Sequence, residues 1–242
     1  MSEITFIVDD LRGAILVEDN RDLSADAIEQ LQAHLGEGQE IGCARPLEII
    51  KPPAISSEEQ IENVCVRIAG YYHDSLTEGQ GRRSSVLFQF CPLKCKGCWV
   101  PQLHDTEAGA LIPVNELAEL LLDPKYERDG VSILGGEPFA QPDGLLALVR
   151  LLRKDGCQHI LCYSGYTLEA LREKSARQSS IGKILDEIDI LIDGAYVESL
   201  AGGAGAWTGS GNQRVIDLPA TKQSGRIILY RKTFVETYTA DG

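Results

Sequence analysis

The first part of the chain alternates short apolar runs with polar turns, a pattern typical of a small α+β unit. Apolar residues at positions 4–8 and 14–17 predict two short strands joined by the polar turn DDLRG. A capped helix is predicted next, with a serine start, one apolar face and a glycine end: Ser24, Ile28, Leu31, Leu35 and Gly36.

A stretch with three prolines, RPLEIIKPPAISS, follows this unit. Its paired prolines, Pro52 and Pro53, cannot continue a helix or a central strand. We therefore predict a boundary after residue 57. Residues 1–57 would form an N-terminal α+β extension, and residues 58–242 would form the main domain.

The main domain changes to alternating strand and helix patterns. Strands are predicted at VCVRIAGYY, SSVLFQF, GVSIL, HILCYSG and DILIDG, and residues 114–122 and 145–152 are apolar at helical spacing. Strands that alternate with helices pair in parallel through right-handed crossovers, which predicts an α/β fold.

The unusual segments of the main domain come directly after its predicted strands. Three cysteines follow SSVLFQF, GGEPF follows GVSIL, SGYT follows HILCY and DGAYV follows DILI. Because parallel-stranded folds bind ligands at the carboxyl ends of their strands, we expect these four segments on one ligand-binding edge.

Composition narrows the class of protein. The 242 residues are 43% hydrophobic and can bury a sizeable core, but no apolar stretch is long enough to span a bilayer. The start MSEITFIVDD lacks the basic residues of a signal peptide, so a cytoplasmic protein without a membrane partner is expected. A net charge of −13 argues against a nucleic-acid partner. Clustered thiols in a reducing compartment indicate metal binding or catalysis.

Cys91, Cys95 and Cys98 form a C-x3-C-x2-C pattern on a predicted loop. Three thiolates suit an iron–sulfur cube with one iron left open for a substrate or cofactor, whereas fully ligated clusters use four cysteines. A structural zinc site would need a remote fourth ligand such as His104. The zinc site, and cysteines that merely pack, remain alternatives on the spacing alone.

The GGEPF segment offers a site for an ammonium group. Gly135 and Gly136 lack side chains, so backbone carbonyls can approach a ligand beside the carboxylate of Glu137. The alternative is a strand-ending turn in which the glycines serve geometry and Pro138 starts a helix. The position beside the cysteines favours the binding site.

The cysteine pattern after one strand and GGEP after the next resemble the radical S-adenosylmethionine enzymes, over about residues 64–218. Within that superfamily, YSGYTLEAL, ILIDGAYVESL and WTGSGNQRVIDL resemble the activating proteins of anaerobic ribonucleoside-triphosphate reductases. The resemblance implies a partial (βα) barrel of the radical S-adenosylmethionine type. Residues 1–57 have no counterpart in the compact activating proteins.

The resemblance also implies roles for individual residues. The three cysteines would hold a 4Fe-4S cluster whose open iron chelates S-adenosylmethionine, and the Gly-Gly-Glu residues would line its methionine ammonium. Ser164 and Asp193 would touch the ribose or methionyl portion. Trp99 would pack on the adenine, with a core tryptophan as the alternative.

The implied activity is reductive cleavage of S-adenosylmethionine to a 5'-deoxyadenosyl radical, which would form a glycyl radical on a partner such as anaerobic ribonucleotide reductase. A reducing flavodoxin or ferredoxin would supply the electron. One alternative is a stand-alone radical enzyme that modifies a small molecule or peptide gripped by the extension. Another is a cluster-bearing binding or redox-sensing module without turnover.

Three further features give weaker predictions. The remaining cysteines are expected to be small buried hydrophobes, because their spacings do not form a ligand loop: Cys43, Cys65, Cys157 and Cys162. His104 is expected to be a solvated loop histidine. The segment WTGSGNQ would either close over the nucleoside at the cofactor or partner edge or form a flexible turn.

Overall fold

A computed structural model describes residues 6–9, 14–17, 41–43 and 64–230. The chain divides into two compact units, one of Met1–Glu48 with Arg231–Gly242 and one of Ile49–Tyr230. The predicted helix at residues 24–36 and the proline-containing stretch lie outside the described residues. The boundary after residue 57 stays a prediction.

The described strands of the first unit form a three-stranded sheet. β1 (Phe6–Asp9) pairs antiparallel with β2 (Ala14–Val17), and β2 pairs in parallel with β3 (Ile41–Cys43). Both predicted strands are confirmed, although β1 begins and ends slightly later than expected. The third strand was not predicted, because three residues with a central glycine carry no readable alternation.

The described part of the second unit, residues 64–230, contains a seven-stranded sheet and five helices. The strands are β4 (Cys65–Ser75), β5 (Arg83–Phe88), β6 (Ala110–Pro113), β7 (Gly130–Gly135), β8 (Ile160–Ser164), β9 (Ile190–Asp193) and β10 (Arg214–Asp217). The helices are α1 (Val114–Leu121), α2 (Pro142–Lys154), α3 (Leu168–Ser175), α4 (Ser179–Glu187) and α5 (Leu218–Ser224). No helix of the described ranges is both long and apolar enough to cross a membrane.

The strand order of this sheet is β10-β9-β8-β7-β5-β4-β6. The four central strands β5, β7, β8 and β9 are parallel, while β4 pairs antiparallel with β5 and β6, and β10 pairs antiparallel with β9. The predicted α/β fold with parallel strands is therefore confirmed. β6 and β10 were not predicted, since each runs directly into the following helix and no turn residue marks the end of the strand.

The sheet buries apolar residues on both faces. On β8, Ile160 and Cys162 belong to the main core with the helices, whereas Leu161 packs in a second cluster with Ile190 and Ile192 of β9. Successive side chains of a strand point to opposite faces, so the second cluster lies on the face away from the helices. Tyr163, Trp207, Val215 and Tyr230 pack against that second cluster.

Gly144 permits the closest approach of α2 to the sheet. A Cβ at this position would lie 2.3 Å from Cγ1 of Val66, a fully buried side chain of β4. Gly182 of α4 offers a contrast, because its Cβ would meet nothing closer than Ser175 Cβ at 3.4 Å. Only the first glycine is therefore required by packing.

We expect Gly144→Ala to lower the free energy of unfolding by roughly 1–2 kcal/mol, because overpacking outweighs the gain in helix propensity. Gly182→Ala is the matched control and should raise it by roughly 0.5–1 kcal/mol. Urea denaturation of both variants measures the difference. Equal effects of the two substitutions would contradict the packing of α2 on β4.

Candidate functional site

The four motif segments lie side by side at one edge of the sheet. The three cysteines follow β5, GGEP overlaps the end of β7, the SGY turn follows β8 and the DGAY turn follows β9. These strands are neighbours and run in parallel, so their carboxyl ends share this edge. The shared edge expected from the sequence is confirmed.

The cysteine loop (residues 90–100) is a compact turn-rich segment. Cys91 is buried, and Cys95 and Cys98 are half-buried free thiols. The Cys98 amide donates to the Cys95 carbonyl at 3.2 Å, and Gly97 has a left-handed backbone with φ of +71°. The loop thus places two of the three thiols on either side of a tight turn.

The three thiols are the type of ligand that an iron–sulfur cube uses. Within the described ranges, no group of three or more His, Cys, Asp or Glu side chains could hold a metal ion. An iron–sulfur cube makes a different demand, because each thiolate binds its own iron and the sulfurs need not meet at one point. The donor set of three thiols matches that demand.

The Cys91 thiol is buried and lies near two backbone N–H groups. Burial raises the pKa of its thiol, while backbone N–H groups of Leu93 and Lys94 donate towards the sulfur and oppose that rise. Hydrogen bonds to cluster sulfurs are one of the means by which proteins tune iron–sulfur centres. The residues present therefore fit a cluster at this loop.

Gly135 and Gly136 are required by the backbone of the neighbouring segment. A Cβ on Gly136 would lie 2.3 Å from the Phe90 carbonyl oxygen, and one on Gly135 would lie 2.5 Å from the Phe88 amide. The Gly136 amide donates to the Phe88 carbonyl and the Glu137 amide to the Phe90 carbonyl, both at 2.8 Å. The close approach thus serves the start of the cysteine loop, and a role of these two glycines at an ammonium group stays a prediction.

Glu137 turns its carboxylate to the end of β8. The amides of Phe139 and Gly165 donate to it at 3.0 and 2.8 Å, and the Ser164 hydroxyl donates at 3.0 Å. The side chain is fully buried, and burial raises its pKa to about 7 against these hydrogen bonds. Glu137 and Ser164 therefore join β7 to β8, and their contact with a cofactor stays a prediction.

Asp193 is fully buried and already paired. Its carboxylate accepts hydrogen bonds from the Leu168 amide at 2.6 Å and from Arg214 at 2.9 and 2.5 Å. Arg214 also donates to both carboxylate oxygens of Glu169. Hydrogen bonds to Asp193, and to a smaller extent to Glu169, raise the pKa of Arg214. The hydrogen bond from Arg214 lowers the pKa of Glu169 to about 2.

The sequence interpretation missed Arg214. Arg214 can be identified only from the register of β9 and β10, which places it directly opposite Asp193. Because β10 was not predicted, the pairing of the two residues could not be read from the chain. A cofactor contact of Asp193 stays a prediction.

Trp99 is 70% exposed, so the alternative of a core tryptophan is wrong. Its indole N–H donates to the Tyr196 hydroxyl at 3.1 Å, and the two rings tilt at 60° with centroids 5.6 Å apart. Trp99 therefore stands at the surface of the cysteine loop. Packing of its ring on an adenine stays a prediction.

The weaker sequence candidates have mixed outcomes. Cys157 and Cys162 are buried as expected, Cys65 is only half-buried, and the side chain of Cys43 lies outside the described residues. His104 ends a short 3-10 helix, and its Nε2 is buried without a hydrogen-bond partner among the described residues. It is thus not a fully solvated loop histidine.

The WTGSGNQ segment is ordered by its own side chains. The amides of Gly209 and Ser210 donate to Oε1 of Gln213 at 2.7 and 3.2 Å, and the Ser210 hydroxyl contacts Oδ1 of Asn212 at 2.8 Å. The segment is therefore a hydrogen-bonded loop, and its closure over a nucleoside stays a prediction.

Known proteins resemble this chain over the same region. The model of the 4Fe-4S single cluster domain matches residues 77–216. An anaerobic ribonucleoside-triphosphate reductase-activating protein of Pasteurella multocida is 30% identical over an alignment of 152 residues, which covers 59% of this chain and 92% of that protein. A protein of the same name from Escherichia coli K12 is 26% identical over 60% of this chain and 94% of its own length.

Two further likenesses concern proteins with other names. A pyruvate formate-lyase-activating enzyme of Clostridium pasteurianum is 29% identical over 68% of this chain and 66% of its own length. QueE from Escherichia coli superposes with a TM-score of 0.36 at 20% identity, over 46% of this chain and 58% of that chain. The structural likeness is too low to carry an argument.

The raised pKa of Glu137 predicts a pH dependence of stability. The folded state holds the proton more tightly than the unfolded chain, so the contribution is complete below the unfolded pKa and is lost as pH rises through about 7. A shift of this size corresponds to roughly 3 kcal/mol. Wild-type protein should lose stability relative to Glu137→Gln between pH 5 and 8.

Urea denaturation of the metal-free proteins across this pH range measures the difference. Glu119→Gln, which removes an exposed carboxylate on α1, is the control. A gap between wild type and Glu137→Gln that stays constant with pH would show that the carboxyl group is not buried as described.

Proposed function

The chain belongs to the 4Fe-4S single cluster domain family, and we propose that it is a radical S-adenosylmethionine activase that generates a glycyl radical on an anaerobic ribonucleotide reductase. Its cofactors are a 4Fe-4S cluster and S-adenosylmethionine. The observation that carries the proposal is the cysteine loop at the end of β5 beside three further motif segments at the same edge. Two relatives that are named activating proteins align with this chain over 92% and 94% of their own length.

The three cysteines would hold the cluster. Free thiols on one compact loop, and amide donors towards the Cys91 sulfur, support this assignment. When bound and reduced, the cluster supplies the electron that cleaves S-adenosylmethionine to methionine and a 5'-deoxyadenosyl radical. A fourth thiolate ligand is not needed, because the open iron takes the cofactor.

The neighbouring strand ends would form the cofactor pocket. We place the backbone of Gly135 and Gly136 and the region of Glu137 at the methionine ammonium, and Ser164 and Asp193 near the ribose or methionyl portion. The hydrogen bonds of Glu137 and Ser164 between β7 and β8 would then shape the pocket wall. Trp99 stands exposed beside the third cysteine, where an adenine could stack on it.

Further parts of the proposal rest on the sequence resemblance. They are the partial (βα) barrel, the N-terminal α+β extension at residues 1–57, a flavodoxin or ferredoxin as the electron donor and a cytoplasmic location. The match to the Pasteurella multocida protein covers 92% of that protein but only 59% of this chain. The residues of this chain outside the match favour an added role in docking the partner protein. The same residues could instead bind a small molecule or peptide, so a stand-alone enzyme for such a substrate is the second candidate.

The ligand assignment predicts iron content. Anaerobic reconstitution should load about four irons per chain, and Cys95→Ala or Cys98→Ala should remove most of them, because a cube held by two thiolates is readily lost. Cys157→Ala removes a buried thiol elsewhere and is the matched control. Iron and sulfide analysis measures the outcome, and stoichiometric zinc that resists replacement by iron would refute the assignment.

The activity predicts two products. Reduced, reconstituted protein should form 5'-deoxyadenosine from S-adenosylmethionine, and with an anaerobic ribonucleotide reductase it should yield a glycyl radical visible by electron paramagnetic resonance. The Cys98→Ala variant should give neither product. Cleavage without any radical on a cognate reductase would replace the activase by the small-molecule or peptide enzyme.

A further inference from the structure

The loop between β9 and β10 (residues 194–213) is a closed structure that depends on side-chain hydrogen bonds. The Ser210 hydroxyl accepts from the Val197 amide at 3.1 Å, and Asn212 and Gln213 donate to the carbonyls of Ala195 and Gly194 at 2.8 and 2.9 Å. The Gly211 amide donates to the Leu200 carbonyl at 2.9 Å. These bonds join the first half of the loop to its second half, so that the loop forms one compact unit.

The neck of the β9–β10 loop is held by an ion-pair network. Asp193 and Arg214 are the residues that immediately flank the loop and face each other in the β9–β10 register. Arg214 pairs with the fully buried Asp193 at 2.5 Å and with Glu169 of α3 at 2.7 Å. The loop is therefore fixed to the sheet and to one helix.

A second attachment lies at Trp207, on the far side of the loop. The Tyr163 hydroxyl of β8 donates to the Trp207 carbonyl at 2.9 Å, and the Trp207 ring lies 5.6 Å from that of Tyr230. Trp207 has φ of +66°, which is strained for a bulky side chain and persists only where the surroundings impose it. The loop is thus attached to the sheet at its neck and again at Trp207.

Two residues of this fixed loop contact the cysteine loop. Tyr196 binds the indole of Trp99, and the Glu198 carboxylate lies so close to Gly97 that a Cβ there would be 2.7 Å from its Cδ. The Glu198 carboxylate is also 3.9 Å from the ammonium of Lys96. All of these contacts fall on the residues that separate or follow the second and third cysteines.

The cysteine loop itself needs outside support. Phe90 and Lys94 are not glycines, yet they have φ of 74° and 46° on either side of Cys91. Left-handed backbone at ordinary residues is costly and is retained only when surrounding contacts determine it. Contacts from a rigid neighbouring loop are one such constraint. They also fix the three thiols, because the thiols lie on the same strained segment.

We propose that the β9–β10 loop is a clasp on the cysteine loop, and that Tyr196 and Glu198 are positioning residues that hold the thiols in the arrangement a cluster requires. The inference rests on the cluster assignment proposed above. Without the clasp, the strained loop relaxes and its segment between Cys91 and Cys98 opens more often. Iron is then released faster, although the fold of the sheet is unchanged.

The test uses a double variant, Tyr196→Ala with Glu198→Ala, in the full chain. Trypsin reports opening of the cysteine loop, because Lys94 and Lys96 are the only lysine or arginine residues between positions 84 and 124. We expect cleavage at these lysines to be on the order of five-fold faster in the double variant, because both the aromatic contact with Trp99 and the ion pair with Lys96 are lost. Iron release from the reconstituted holoenzyme to a chelator should accelerate similarly.

Two further variants make the result specific. Tyr196→Phe keeps the ring and loses only a solvent-exposed hydrogen bond that water can replace, so it should behave nearly as wild type. Tyr126→Ala removes an aromatic ring that stacks on His73 before β7, away from the motif edge, and should leave both rates unchanged. The thermal unfolding midpoint is followed in every variant.

Equal cleavage and iron-release rates in wild type and the double variant would overturn the clasp. So would an equal acceleration in Tyr126→Ala, because it would indicate general loosening. A wild-type protein that takes up no iron would instead refute the cluster assignment. The tryptic rates of metal-free protein would still decide whether the two loops are coupled.

Discussion

The close contact between the end of β5 and the Gly-Gly turn of β7 is the interaction on which the edge of the sheet depends. A Cβ on Gly136 would lie 2.3 Å from the Phe90 carbonyl, so a side chain at this position would push the two segments apart. The same contact lets the Glu137 amide reach Phe90, and this bond aims the Glu137 carboxylate at β8. The first cysteine follows Phe90 directly, and its position is therefore set by backbone hydrogen bonds.

Two fully buried carboxylates at this edge are stabilised by different means. Glu137 receives neutral donors only, two amides and a hydroxyl, and burial keeps its proton affinity high. Asp193 forms an ion pair with the guanidinium of Arg214, and the same guanidinium also pairs with the carboxylate of Glu169. At this edge, the charge of Asp193 is therefore compensated within the fold, whereas the charge of Glu137 depends on pH near neutrality.

The sequence was sufficient to predict the four parallel strands β5, β7, β8 and β9 and the helices α1 and α2, because apolar runs and helical spacing carry a clear signal at segments such as GVSIL and residues 145–152. It also predicted which segments share an edge. The direction of the side chains was not predictable, since it depends on register. Glu137 turns to β8, and Asp193 meets a residue of a four-residue strand that has no readable pattern. Whether a tryptophan after the third cysteine is exposed likewise depends on its neighbours in space.

Both tryptophans of the chain lie on or against the β9–β10 loop: Trp207 within it and Trp99 in contact with its Tyr196. One indole is exposed and hydrogen-bonded to a phenol, while the other is half-buried against the sheet. The tryptophan fluorescence of the protein therefore originates entirely from this one region. A cofactor or partner that binds at the edge can change that emission without any label, and the rest of the molecule contributes no tryptophan background.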